Sequence, residues 1–209
     1  MFRILVVEDA IEVLMTMRRR ISEEVIGSIV DTAETVLEAR ALIDRMDILQ
    51  DRYDCAVLDF NLPFGDGSQS VDSSLCLRLG QGMKNIGVIH ITSQAQASRS
   101  ILDHIRDYHL DPSVRACGLV DKADVNFYRR TCEEVRRFLY SRHLEDELDR
   151  LFSTSPFPIE IAQSATTDLQ RFQRDAVQMW PDLPEITRER INGRFEVDPK
   201  STPVTIRLR

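Results

Sequence analysis

The sequence predicts an α/β protein, built on a doubly wound sheet of five parallel strands and followed by a mostly helical C-terminal extension. Short apolar runs such as Arg3–Val7 and Cys55–Leu58 alternate with stretches whose apolar residues recur at helical spacing. Such short runs, each followed by turn-forming or polar residues, are typical of strands buried on both faces of a parallel sheet. Helices between the strands then cover both faces, and reactive groups collect at the carboxyl edge.

Each element has its own signal in the sequence. Strands are predicted at 3–7, 28–31, 53–58, 88–91 and 118–120, and helices at 10–25, from the mid-thirties to about 49, within 65–82 and at 95–108. The first helix carries Met15 and Ile21 on its apolar face, with Met17 off that face. Either Thr32 or Thr35 is expected to cap the second helix.

Charged residues follow directly after the first, third and fifth predicted strands. Glu8 and Asp9 follow the first strand and Asp59 ends the third, whereas Lys122 comes after the fifth. Carboxylates that meet at one edge of a sheet repel each other, and a hard divalent cation with oxygen ligands relieves that repulsion. An ammonium group beside them can neutralise a transferring anion. Taken alone, Asp59 could equally well cap the turn or the next helix.

The fourth predicted strand ends in two hydroxyl residues, Thr92 and Ser93. A hydroxyl at this strand end can donate a hydrogen bond to an anionic oxygen placed on Asp59. The alternative is that it only caps the helix that follows. Asp9 and Lys122 at neighbouring strand ends favour the first interpretation.

The strand-end residues belong to four short motifs, which are Ile4–Asp9, Leu58–Pro63 with Gly67, Ile91–Ser93 and Val120–Lys122. Together, in this order and at this spacing, the motifs resemble the CheY-like receiver domain of bacterial two-component response regulators, which has a flavodoxin-like fold. The resemblance covers residues 1 to about 140. Two positions depart from the family pattern. Leu119 stands where an aromatic switch residue is usual, and Ala123 stands where proline often follows the lysine.

The resemblance implies the chemistry of a phosphorelay. Asp59 is then the phosphoacceptor, which takes a phosphoryl group from a phosphohistidine on a sensor histidine kinase or a histidine phosphotransfer protein. Lys122 offsets the negative charge of the transferring group. Thr92 binds a phosphoryl oxygen afterwards and biases a two-state switch in protein–protein interactions.

The resemblance also implies a magnesium site. Asp9, Asp59 and the backbone carbonyl of Asn61 are expected to coordinate Mg²⁺, and Glu8 assists through water. A magnesium-dependent aspartyl phosphatase would use a similar strand-end nucleophile, but it places a second acid two residues later. Asn61 occupies that position and cannot serve as a general acid. We therefore expect a signalling protein rather than an enzyme, with at most self-catalysed phosphotransfer and autodephosphorylation.

Composition narrows the class of protein further. The net charge of −7 argues against a general affinity for nucleic acid. The four cysteines are widely spaced, which argues against a disulfide framework or a structural zinc site, and the histidines show no ligand-like spacing with them. No apolar run approaches the roughly 18 residues that span a bilayer, and the N-terminus lacks a secretory signal. These features predict a cytoplasmic protein without a membrane partner.

Residues 141–209 are predicted to form the C-terminal extension, in which we recognise no family. A long helix is expected after Lys122, since neither Pro nor Gly interrupts the chain before a linker at 153–158. Its apolar residues recur along one side: Tyr128, Cys132, Val135, Leu139, Leu144, Leu148 and Leu151. This pattern favours a homodimer formed through the helix. The alternative is two helices that are broken near Ser141 and fold back within one chain.

The rest of the extension is predicted to contain helices at 161–180 and 185–191 and a half-buried strand at 202–209. Its function is dimerisation or output. A DNA-binding transcriptional regulator that acts through this tail is the alternative function. It has little support, because no helix rich in arginine or lysine stands out as a recognition helix.

Overall fold

The computed structural model describes residues 1–65, 86–93, 114–153, 163–198 and 205–208. The helix predicted within 65–82 and the helix predicted at 95–108 lie outside the described residues. The chain divides into two compact units, Met1–Val135 and Arg136–Arg209. The domain limit near residue 140 stays a prediction, and the two units are described separately below.

The first unit is built on one sheet of five parallel strands. The strands are β1 Phe2–Val7, β2 Ser28–Ala33, β3 Cys55–Asp59, β4 Ile86–Thr92 and β5 Val114–Asp121. Their order across the sheet is β2-β1-β3-β4-β5, and every neighbouring pair is parallel. This is the order of a doubly wound sheet in which the strand order reverses between β1 and β3. The fold class predicted from the sequence is confirmed.

The central strands are apolar because both of their faces are covered. Every residue of β3 and β4 is buried, and so are the last four residues of β1, residues 4–7. The edge strand β2 buries only Val30 and Ala33. It also extends further than predicted and includes Thr32, so Thr32 cannot cap the following helix.

Two described helices follow the first two strands, α1 at Ile11–Glu24 and α2 at Val36–Ile48. Helix α1 differs from its predicted orientation. Met17 is buried and Met15 is half exposed, because the buried stripe runs through Leu14, Met17 and Ile21 at spacings of three and four residues. The predicted apolar face was therefore wrong at both methionines.

Helix α2 begins with two capping hydrogen bonds. The Thr35 hydroxyl accepts a hydrogen bond from the Glu38 backbone N–H at 3.2 Å, and the Glu38 carboxylate accepts one from the Glu34 N–H at 2.9 Å. The first two N–H groups of the helix, those of Val36 and Leu37, donate to the carbonyls of Pro63 and Phe64. The loop after β3 is thus bonded to the start of α2.

Gly65 lies in the same loop and has a φ of 108°, a backbone conformation that favours glycine. A Cβ atom at this position would lie 3.1 Å from the Thr35 hydroxyl oxygen and 3.3 Å from a Leu37 methyl carbon. The close approach of the loop to α2 therefore requires glycine here.

The long helix after Lys122 is continuous. It is α3, Phe127–Ser153, and it runs from the first unit into the second. The predicted alternative, a break near Ser141, is wrong: Ser141 satisfies its hydroxyl by donating to the Arg137 carbonyl at 2.6 Å, one turn earlier within the helix.

The described elements that follow α3 all belong to the second unit. They are helix α4 Gln163–Met179, a 3₁₀ turn Trp180–Asp182, helix α5 Glu185–Arg194, and strands β6 Phe195–Asp198 and β7 Thr205–Leu208. The two strands pair antiparallel. The predicted terminal strand is confirmed at 205–208, but β6 was not predicted. None of the described helices is long and apolar enough to cross a membrane.

Most leucines of α3 are buried without a second copy of the chain, whereas Leu151 is half-buried. Leu144 and Leu148 are 0% and 1% exposed, and Phe172 of α4 is also fully buried. Hydrogen bonds join α4 to the same stretch of α3, as described below. Because these leucines are already covered within one chain, their apolar character does not require dimerisation. The homodimer stays a prediction.

Candidate functional site

Sheet register brings the predicted strand-end residues to one edge. Val7 pairs with Leu58, and Leu58 pairs with His90, so the residues that follow lie level with one another. Glu8 comes directly after β1, and Asp59 ends β3. Thr92 at the end of β4 lies opposite Asp121, the last residue of β5. The carboxyl edge of the sheet is therefore lined with polar groups.

Three carboxylates meet at this edge. Carboxylate oxygens of Glu8, Asp9 and Asp59 all lie within 4.8 Å of one another. Glu8 is completely buried and Asp59 nearly so, whereas Asp9 is exposed. The Glu8 Oε1 atom accepts a hydrogen bond from the Ala10 backbone N–H at 3.2 Å, which holds the side chain towards the edge.

Lys122 bridges the two buried acids. Its Nζ atom lies 2.7 Å from Asp59 Oδ2 and 2.7 Å from Glu8 Oε2. Its backbone N–H donates to the Thr92 carbonyl at 2.9 Å, so the lysine is fixed to the end of β4. With all groups charged, three carboxylates and one ammonium leave two negative charges at this edge.

Burial dominates the proton affinities of the site. Loss of solvent raises the pKa of both Asp59 and Glu8, and the hydrogen bonds from Lys122 oppose that rise only in part. The Asn61 backbone N–H also donates to the Asp59 carboxylate and lowers its pKa, whereas the charge of Asp9 raises it. Burial lowers the pKa of Lys122, but its bonds to Asp59 and Glu8 outweigh this, so that its pKa is raised. The site is therefore short of positive charge.

The donor set fits a hard divalent cation. All three carboxylates offer oxygen, and the two uncompensated negative charges match a dication. Two of these carboxylates already share one lysine, so the exposed Asp9 is the acid most open to a metal ion with bound water. The carbonyl of Asn61 as a further ligand stays a prediction.

Three further residues of interest lie at or close to this edge. They are Thr92, Ala123 and Leu119, the last two being the departures from the family pattern. Thr92 is completely buried, and contact of its hydroxyl with a phosphoryl oxygen stays a prediction. The Ala123 backbone N–H donates to the Asp121 carboxylate at 2.8 Å. Proline has no N–H group, so alanine permits a hydrogen bond that proline would remove. Leu119 is half-buried in β5.

Comparison with known proteins supports the fold. No protein-family model and no curated protein matches the chain. Solved structures do match. A CheY-like response regulator receiver domain protein from Methanospirillum hungatei has a TM-score of 0.53 at 21% identity, with 69% of this chain and 98% of that chain covered. The fold is that of a receiver domain.

Two further receiver structures agree with this assignment. The phosphorylated cyanobacterial phytochrome response regulator RcpA gives a TM-score of 0.52 at 18% identity, over 66% of this chain and 94% of that one. The receiver domain of a LuxO-type repressor protein from Vibrio parahaemolyticus gives 0.50 at 19% identity, over 70% and 95%. At these low identities the structural matches show the fold alone.

The second unit holds a group of polar residues that the sequence analysis did not predict. His143 and Glu147 of α3 meet Asp175 of α4, with one ligand atom of each residue within 4.8 Å of the others. The only signal in the sequence was the spacing of four residues between His143 and Glu147, which places both on one face of a helix. Asp175 is distant in sequence and could not be connected to them.

Proposed function

We propose that this chain is the phosphoacceptor of a two-component phosphorelay, and that it takes a phosphoryl group from a phosphohistidine onto Asp59. One observation carries the proposal: the Lys122 Nζ atom contacts Asp59 at 2.7 Å while Glu8 and Asp9 crowd the same carboxylate. This arrangement gives a nucleophilic oxygen, a cation beside it and a surplus of negative charge for a metal ion. The proposed partners are a sensor histidine kinase or a histidine phosphotransfer protein.

Transfer requires the Asp59 carboxylate to attack phosphorus in line with the departing imidazole. The new bond joins an Asp59 oxygen to phosphorus, the P–N bond breaks, and its electron pair stays on the imidazole nitrogen, which takes up a proton. Lys122 already contacts Asp59 Oδ2, so its Nζ atom can pass to a phosphoryl oxygen while it keeps Glu8 at 2.7 Å. The Lys122 ammonium group thus keeps an anionic partner throughout the transfer.

The metal ion in this proposal is Mg²⁺. Asp9 and Asp59 would hold it together with the Asn61 carbonyl, and Glu8 would act through water. When bound, Mg²⁺ supplies positive charge that offsets the charge on the equatorial phosphoryl oxygens. Asp59 stays the nucleophile, and its rigid position at the end of β3 fixes the direction of attack.

Signalling would follow from the group left on Asp59. The Thr92 hydroxyl is proposed to bond a phosphoryl oxygen and to move the end of β4. Leu119 replaces the usual aromatic switch residue, so the second half of the response must be carried by another group. The loop bonded to α2 is one candidate, because it begins directly after Asp59.

DNA binding through the tail gains no support from the described residues of the second unit. Two arginines of α5 are engaged within the chain: Arg188 donates to the Pro181 carbonyl at 2.9 Å, and Arg190 pairs with Glu145 at 2.9 Å. A recognition helix needs such side chains directed to the groove. We therefore place the output in protein–protein interaction.

Phosphorylation can be tested by intact mass. The full-length protein is incubated with a small acyl phosphate and Mg²⁺, and we expect it to gain one phosphoryl group. Asp59→Asn should abolish the gain, because the amide keeps the shape of the side chain and removes the nucleophile. Asp121→Asn is the matched control, since it changes a strand-end acid whose carboxylate bonds only the Ala123 N–H in the described contacts. A gain by Asp59→Asn at the wild-type rate would refute the proposal.

A further inference from the structure

The second unit carries a buried carboxylate oxygen that faces a histidine. Glu147 is 7% exposed, and its Oε2 atom accepts no hydrogen bond from any residue that the structure describes. This atom lies 3.8 Å from His143 Nε2, too far for a hydrogen bond, and the same ring nitrogen lies 3.1 Å from Asp175 Oδ2. An acceptor buried in this way costs stability unless a cation or a proton donor reaches it.

We propose that His143, Glu147 and Asp175 form a binding site for Zn²⁺ or a chemically similar first-row divalent cation. Imidazole nitrogen and carboxylate oxygen are both ligands of Zn²⁺ in proteins, and three protein ligands with one open position are typical of non-structural zinc sites. Such mixed nitrogen and oxygen ligation favours transition metals over Mg²⁺, which prefers oxygen alone. The fourth position would hold water. The site belongs to the second unit and is independent of the chemistry proposed for Asp59.

Distances between the donor atoms support a tetrahedral site. Ligand atoms bound to Zn²⁺ at 2.0–2.1 Å lie about 3.3–3.4 Å apart when the geometry is tetrahedral. The observed separations of 3.1 Å and 3.8 Å from His143 Nε2 lie on either side of that value. The carboxylate oxygens of Glu147 and Asp175 lie within 4.8 Å of each other, so side-chain rotation that draws them together would complete the tetrahedral arrangement.

Two arginines orient the carboxylates. Arg171 Nε donates to Glu147 Oε1 at 2.9 Å, and Arg174 Nε donates to Asp175 Oδ1 at 3.3 Å. Each guanidinium therefore holds the outer oxygen of its acid and leaves the inner oxygen directed to His143. Partners of this kind fix the ligands of metal sites. Their positive charge also weakens attraction for a dication, so the titration must extend to tens of micromolar Zn²⁺.

The proposed site also joins two helices. His143 and Glu147 lie one turn apart on α3, whereas Asp175 comes from α4. An ion bound by all three stabilises only the folded second unit, because the unfolded chain does not hold these residues together. Zn²⁺ would therefore raise the midpoint of thermal unfolding, a readout that does not depend on phosphorylation.

The experiment is calorimetric titration of the full-length chain with Zn²⁺ in an Asp59→Asn background, which reduces capture by the acids at the sheet edge. We expect one Zn²⁺ per chain at the triad, and at least about tenfold weaker binding in His143→Ala and in Asp175→Asn, the lower end of the loss that follows removal of an outer partner alone. Asp146→Asn should bind as tightly as the parent, since this acid on the same helix is 73% exposed and lies outside the triad.

Folding of each variant is checked by circular dichroism. Asp175→Asn keeps the shape of the side chain, so it decides the question even if His143→Ala disturbs the helices. Equal Zn²⁺ affinity in all four chains, or no binding at tens of micromolar, overturns the proposal and leaves the triad as a contact between one histidine and two acids. Neither result bears on Asp59, whose phosphorylation is measured separately.

Discussion

Asp59→Asn should stabilise the protein at neutral pH when no Mg²⁺ is present. The sign follows from the raised pKa of Asp59, which means that the folded protein holds the proton more tightly than the unfolded chain does. The contribution of Asp59 to stability is therefore most favourable below the usual carboxyl pKa, and it is lost as the pH rises through the raised pKa. Above the raised pKa the loss is complete, and asparagine removes the buried charge that causes it.

The magnitude is a difference between opposing effects. At an effective dielectric constant of about 20, Glu8 repels Asp59 by at least about 3.5 kcal/mol across a separation of at most 4.8 Å. Lys122 attracts Asp59 by about 6 kcal/mol at 2.7 Å, but it keeps Glu8 as a partner after the substitution. Burial adds its own penalty, and the raised pKa shows that repulsion and burial together exceed the attraction. We expect a net gain of roughly 1–2 kcal/mol, because Lys122 keeps Glu8 as a partner and the substitution leaves no buried charge unpaired.

Urea unfolding at pH 7 with a chelator measures this gain. The exposed acid Glu12, replaced by Gln, is a control for the loss of one charge and should change stability by no more than about 1 kcal/mol. The gap between Asp59→Asn and wild type should close towards pH 4, and Mg²⁺ should narrow or reverse it, since an ion at about 100 times its Kd stabilises by about 2.7 kcal/mol. An Asp59→Asn chain less stable than wild type in chelator would refute the reasoning.

Two further predictions concern the two units separately. Asp9→Ala should weaken Mg²⁺ binding, whereas the free energy of unfolding in chelator should change little, because Asp9 is exposed and adds only repulsion at the site. A calorimetric titration with Mg²⁺ checks this prediction. Equal Mg²⁺ affinity of the variant and the wild type would contradict the metal site. Leu148→Ala should destabilise the second unit by about 2–5 kcal/mol, because Leu148 is 1% exposed within a single chain. The unfolding midpoint should not depend on protein concentration, whereas a strong concentration dependence, with light scattering of a dimer, would show that a second copy covers this leucine.

The sheet was predictable because its strands are defined by local apolar runs. Residues 4–7 and 55–58 are buried on both faces, so each run is uniformly apolar and its polar neighbour marks where it ends. The site was predictable for the same reason, since Asp59 and Lys122 occur at strand ends. The bridge from Lys122 to Glu8 was not, because it depends on side-chain directions that no spacing encodes.

The orientation of the first helix, the cap of the second and the short strand β6 were harder to predict from the sequence. Met15 and Met17 are equally apolar, and only contact with the sheet decides that Met17 is buried. Thr32 and Thr35 are equally good caps in isolation, and the length of β2 excludes the first. Strand β6 was missed although its antiparallel partner β7 follows closely in the sequence, because the four residues of β6 carry too weak a signal.

The bonds between the loop after β3 and the start of α2 have a mechanical consequence. The first free N–H groups of a helix must be satisfied by something, and in α2 the carbonyls of Pro63 and Phe64 do so. This segment starts at the end of β3, so any shift of the chain beyond Asp59 must either be absorbed before Pro63 or detach those carbonyls. Helix α2 would then lose part of its first turn rather than move as a rigid rod. The state of Asp59 is thereby linked to the order of a helix beside the far edge of the sheet, by a route that does not pass through β4 or its threonine.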